Sequence, residues 1–149
     1  MLTKKGKYGL KAMTALSAQP AGTAMLVADL AQAHQIPKKF LDAILGELRT
    51  AGFLHAKKGR GGGYRLARPP EDIRVGELIR TLDGPLAPIA CASRSGYQRC
   101  EDCPDENACS TRLLMVQVGE AIAGVVDGLS LAELRDLAQD PFDSFVYTI

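Results

Sequence analysis

Four cysteines, Cys91, Cys100, Cys103 and Cys109, fall within nineteen residues in the pattern C-x8-C-x2-C-x5-C. Soft thiolates select iron-sulfur clusters or zinc over hard cations, and a reducing compartment disfavours structural disulfides as the reason for such a set. A second C-x2-C pair would have favoured zinc. Cys100 and Cys103 alone have thioredoxin-like spacing, but no βαβ pattern surrounds them. The neighbouring Glu101, Asp102, Asp105 and Glu106 also raise rather than lower thiol pKa values. The first expectation is an iron-sulfur cluster, 2Fe-2S or 4Fe-4S, with zinc or metal-free thiols as alternatives.

The second constellation is Lys57-Lys58-Gly59-Arg60-Gly61-Gly62-Gly63-Tyr64. A dinucleotide loop needs its third glycine where Tyr64 stands, and a P-loop needs Gly-Lys-Ser/Thr, so this is not a nucleotide cradle. Glycines beside Lys58 and Arg60 instead let the backbone approach a phosphate, or place a cation in a narrow minor groove. The two histidines, His34 and His55, read as surface or packing residues. No serine motif or carboxylate pair stands out, so no enzyme is expected.

These residues need elements to position them. Apolar residues at helical spacing mark a helix over Tyr8 to Ala18, a short helix over Val27 to His34, and a third from Pro37 at its first turn to about Thr50. The last two, separated by three residues, form a helix-turn-helix pattern. On the third helix Leu41, Ile44, Leu45 and Leu48 lie within about 60° of one direction. Lys39, Asp42, Ala43 and Gly46 occupy the opposite side, slim enough for a major groove. There Lys39 is suited to guanine acceptors and Asp42 to a cytosine amino group. Lys38 is a candidate phosphate contact. Phe40 is suited either to a thymine methyl or to packing on the first helix.

Phe53 to Lys58 and Tyr64 to Ala67 read as strands of a hairpin with a basic tip, the wing of a winged helix. Val75, Leu78, Ile79 and Leu82 mark another helix, ended by Gly84-Pro85. The stretch from Leu86 to Cys109 has no periodicity, and a loop of that length is expected to be functional or tied down. Ser110 to Val126 returns to helix, with a stripe of Leu114, Val118, Ile122 and Val126 widened by Met115, Ala121 and Val125. Ser130 to Glu133 is a capping box opening a last helix through Ala138. The expected fold is mostly α with a small β-hairpin wing. Its units are a winged-helix DNA-binding domain (1–84), a cysteine-rich loop (85–109), and a dimerisation helix with a C-terminal helix (110–149).

The 149 residues are 46% hydrophobic and 23% charged, which excludes a disordered tail or fibrous repeat. No apolar run is long enough to span a membrane, and Lys11 interrupts the basic start before a signal sequence can form, so a cytoplasmic protein is expected. A net charge of +1 conceals an asymmetry: residues 1–70 hold twelve Lys/Arg against three acids, and residues 71–149 hold six against fourteen. One basic end and one acidic end produce the field of an oriented nucleic-acid binder.

The helix-turn-helix, the Lys58 to Leu66 wing, the Val75-Gly76-Glu77-Leu78-Ile79 helix and the cysteine loop, in that order, resemble the Rrf-two (Rrf2) family of bacterial transcription regulators. The likeness covers nearly the whole chain. Its most specific parts are Gly59-x-Gly61-Gly62-Gly63-Tyr64 and the opening Lys5-Gly6-Lys7-Tyr8-Gly9-Leu10-Lys11. It implies a homodimer built on the Ser110 to Val126 helix and binding a roughly palindromic operator on double-stranded DNA, with repression as the expected sign. Lys5 and Tyr8 join Lys38, Lys39, Phe40, Asp42, Lys58 and Arg60 as DNA contacts. A cluster in the cysteine loop would control affinity in response to iron or cluster supply, redox state or nitrosative signals. The family pattern has three cysteines and a varied fourth ligand, whereas this chain has four, leaving the middle ligand open between Cys100 and Cys103. Lys7 stands where some members place an acidic ligand, so all-cysteine ligation is preferred.

Overall fold

A computed structural model describes residues 2–139 of the chain. It opens with α1 (Lys4–Ser17), α2 (Val27–His34) and α3 (Lys38–Thr50). α1 starts before the expected Tyr8, because the Thr3 hydroxyl caps it by accepting the Gly6 N–H at 3.1 Å. The Thr3 N–H in turn donates to Asp83 at 2.8 Å. Glycine is a poor helix former, so Gly6 obscured this first turn, while Gly9 already fell on the expected apolar spacing. Their value is close approach: a Cβ on Gly9 would overlap the Leu82 side chain.

α2 falls where its spacing placed it. Pro37 is the N-cap of α3 rather than its first residue. Between the two helices Gln35 takes the left-handed region at φ 53°, which turns Ile36 into the core at 4% exposure.

The hairpin pairs β1 (Leu54–Lys57) with β2 (Gly63–Leu66), in register from Leu54 opposite Leu66 to Lys57 opposite Gly63. β1 is trimmed at both ends relative to its sequence window, and β2 is displaced by one residue. Beside β2, Met25 and Tyr64 exchange N–H···O bonds of 2.9 Å each, a single antiparallel bridge that ties the segment before α2 to the hairpin. Gly63 makes this possible at φ 124°, since any side chain there would overlap the Met25 carbonyl.

A single 3₁₀ turn (Pro70–Asp72) leads to α4 (Val75–Asp83), and another (Ala90–Ala92) interrupts the otherwise irregular loop at Cys91. α5 runs Ser110–Gly128, past the expected Val126, and α6 (Leu131–Leu137) carries the capping box of Ser130 and Glu133. α6 returns to the first half of the chain, where the Leu131 N–H donates to Ile73 O at 2.8 Å and the Val75 N–H to Leu129 O at 3.0 Å. One apolar cluster joins Met13, Leu30, Leu45, Leu54, Leu78 and Leu131, among others. Burying each such side chain contributes about 1.5–3 kcal/mol. α5 adds no buried residue to this core. The architecture is mostly α with a two-strand wing, as expected. The tail of the 110–149 unit, residues 140–149, lies outside the described residues.

Candidate nucleic-acid interface and cysteine site

α3 buries Leu41, Ile44, Leu45 and Leu48 and exposes Lys39, Asp42 and Ala43, while Gly46 is half-buried. Phe40 meets the Tyr8 ring edge-on at 5.7 Å, so of its two expected uses it serves packing on α1 while remaining 39% exposed. Lys38 Nζ lies 3.1 Å from Asp42 Oδ2, one helical turn away. Both groups are solvent-exposed, so the pair is worth at most about 1 kcal/mol. Lys5 is committed differently, with its Nζ 2.6 Å from Glu47 Oε2, where it ties α1 to the far end of α3. Lys58 and Arg60 are exposed at the hairpin turn.

Tyr8, Lys38, Lys39, Phe40 and Asp42 therefore gather around the start of α3, the wing cations stand apart on their turn, and Lys5 is held in an ion pair. Lys4, Lys7 and Lys11 lie exposed on the same side of α1 as Tyr8. Their i, i+3, i+7 spacing makes a basic stripe that was legible in the sequence but not among the expected DNA contacts.

All four cysteines are free thiols. Cys91 is buried in the 3₁₀ turn. The Cys100 thiol lies near Cys91, whose influence, followed by slight desolvation and the charges of Asp102 and Cys109, holds its pKa above the ordinary thiol value. Asp102 thus acts in the direction expected of the loop acids, although Cys91 has the larger effect. Cys109 is the N-cap of α5, its Sγ accepting the Arg112 N–H at 3.5 Å. Cys91, Cys100 and Cys109 thereby form one neighbourhood. Cys103 closes a turn that begins at Cys100, its N–H donating to Cys100 O at 3.3 Å and its carbonyl accepting from Arg99 at 3.0 Å. Among the described residues no three Cys, His, Asp or Glu side chains surround a single-ion position.

The loop and α4 are tied to α5 by ion pairs. Arg94 meets Glu120 at 2.6 Å, and Arg80 grips Asp127 with two bonds of 2.5 and 2.8 Å. The Arg80 hydrogen bond holds the Asp127 carboxyl below the usual carboxylate range and raises the guanidinium in return. A half-open cavity of about 520 Å³ lies beside these pairs. The far side of α5 is bare: Leu114 is 54% and Val125 69% exposed.

Three helices with an exposed slim face on the third, followed by a basic two-strand hairpin bridged to the segment before α2, define a winged-helix DNA-binding protein. A family model described as Rrf2, iron-dependent transcriptional regulator, matches residues 2–137. The chain belongs to the Rrf2 family, whose members are DNA-binding transcription regulators and not enzymes. It is 40% identical over 137 residues to a putative rrf2-like HTH-type regulator of Rhodobacter capsulatus, spanning 90% of this chain and 91% of that one. Its fold is similar to that of CymR, the global cysteine regulator of B. subtilis, with a TM-score of 0.75, 27% identity, and 91% and 96% of the two chains covered. IscR of T. potens is comparable, with a TM-score of 0.74, 26% identity, and coverage of 97% and 93%.

Proposed function

We propose that the protein is a cytoplasmic homodimeric repressor that binds a roughly palindromic operator through α3 and the wing, and whose DNA affinity is set by an iron-sulfur cluster in the loop. The observation that carries the sensing half is that Arg112, at the start of α5, bonds to both Cys91 and Cys109, with Cys100 near them. A soft, all-sulfur donor set fits a cluster. Cys91, Cys100 and Cys109 would hold it, with Cys103 as the fourth thiolate or a spare. Bound there, a cluster supplies a centre that is lost or altered by iron shortage, oxidants or nitric oxide. The chain's own part is to translate its presence into different populations of DNA-competent dimer, which requires different cluster affinity in the two arrangements.

On the DNA side, Lys39 and Asp42 read bases, while Lys38, Lys58, Arg60 and the α1 lysines contact phosphates. The bare apolar face of α5 forms the dimer interface, and the proposed units are the winged helix (1–84), the cysteine loop (85–109) and the dimerisation region (110–149). Anaerobic purification with visible absorbance and iron, sulfide and zinc analysis tests the cluster. Absorbance between about 300 and 500 nm with iron and sulfide is expected for thiolate-held clusters. A colourless protein with stoichiometric zinc would leave a DNA-binding winged helix with a structural metal.

A further inference from the structure

We infer that Arg112 is the positioning residue of the cysteine site, an inference that rests on the cysteine-loop reading above. It stands in the first turn of α5 and touches both outer cysteines by different atoms. Its backbone N–H donates to Cys109 Sγ at 3.5 Å. Its side-chain Nε donates to the Cys91 carbonyl at 2.8 Å, across twenty-one residues of sequence. The Cys91 turn is short, and the side chain it buries is only 7% exposed. A charge-assisted bond to its carbonyl is therefore a strong local restraint on where that thiol sits.

Arg112 also heads a polar run along one face of α5. Taken at 3.6 residues per turn, Glu120 and Asp127 follow it on the same side of the helix, and these are the residues that hold Arg94 of the loop and Arg80 of α4. At the end of α4, Asp83 accepts the N–H of the Thr3 cap of α1. The face of α5 that grips the cysteine turn at one end thus grips the DNA-binding helices at the other, while Leu114 and Val125 on the opposite side remain open. Arg112 places Cys91 on that run, so displacement of the cysteine turn is felt on the same helix face that carries α4.

The test uses full-length, metal-free protein, reduced and anaerobic, pulsed with N-ethylmaleimide and read cysteine by cysteine by peptide mass spectrometry. Arg112→Ala is expected to raise Cys91 labelling roughly tenfold, the scale of one missing hydrogen bond to a charged group. Cys109 should change little, because its donor is the backbone N–H that alanine retains. Arg112→Lys should restore part of the protection, and Arg99→Ala should affect Cys103 but not Cys91. Unchanged Cys91 labelling in Arg112→Ala would overturn the inference. So would an equal rise at Cys91 and Cys109 accompanied by faster amide exchange at Leu45 and Leu48, which would mark general unfolding. A second readout is the visible chromophore, which Arg112→Ala should lose faster under chelator. Were the wild type colourless while Cys91 labelling behaved as described, the positioning role would stand and the cluster reading would fall.

Discussion

The winged helix and the α5 region are built on different physics. In the first, four buried residues of α3 face Met13 and Leu16 of α1 and Leu30 of α2, and the charge outside that core is basic. In the second, a nineteen-residue helix has no fully buried side chain, and it is held by salt bridges, a bonded carbonyl and thiols in an acidic setting. The contrast assigns roles. A densely packed unit presents a constant surface, as a DNA reader must. A helix held by polar contacts and open on its apolar side is suited to the proposed response to a cluster at its end and a partner on its face.

The contrast can be broken first at the thiols. Cys91→Ser or Cys109→Ser should abolish the visible chromophore and the cluster-dependent part of operator binding, leaving the salt-dependent part intact. Serine at Cys100 and at Cys103 in separate variants then divides the remaining possibilities: loss in both means four thiolates, and loss in one leaves the other as the spare. Next in size is the core. Leu45→Ala should destabilise the winged helix by about 2–5 kcal/mol in chemical denaturation, whereas Leu114→Ala on the bare face should cost the protomer's own fold far less.

The dimer comes third. Leu114→Glu and Val125→Glu place charges on the two most exposed apolar positions of α5 and should yield monomers with weak operator binding. Light scattering that still reports dimers for both would move the interface elsewhere. Smaller still is the wing. If a dimer neutralises about eight phosphates, log K should fall with log salt at a slope of about −7, and Lys58→Ala and Arg60→Ala should each flatten it by about 0.9 for every phosphate left without its cation.

The smallest effect concerns the link between the regions. The Asp127 carboxyl is held below its ordinary value by Arg80. The pair's stabilisation is therefore fully present above the usual carboxylate range and disappears as pH falls through the lowered value. Asp127→Asn should remove that acid sensitivity at a cost of under about 1 kcal/mol near neutrality, because the pair is solvent-exposed.

What could be read from sequence follows the same divide. α2, α3, α4 and the hairpin are marked by apolar spacing and by glycine and proline punctuation, which are local signals. The first turn of α1 was hidden because Gly6 looks like a breaker until Asp83 is placed against it. The grip of Arg112 on Cys91 and of Arg80 on Asp127 spans distant residues and leaves no periodic trace. Spacing alone left the middle cysteine open, since both Cys100 and Cys103 fit. Only the folded loop sets the Cys100 thiol beside Cys91. The pairing of Lys5 with Glu47 was similarly invisible, and it changes that lysine from a free cation to a tie between helices.

The decisive measurement is operator affinity determined anaerobically on one preparation, before and after cluster removal by chelator, alongside Cys91→Ser. Affinity should change on removal and match that of Cys91→Ser, while the salt slope of about −7 persists in all three, because the proposed phosphate contacts lie on α1, α3 and the wing. Identical affinity in the loaded, stripped and Cys91→Ser proteins would contradict it.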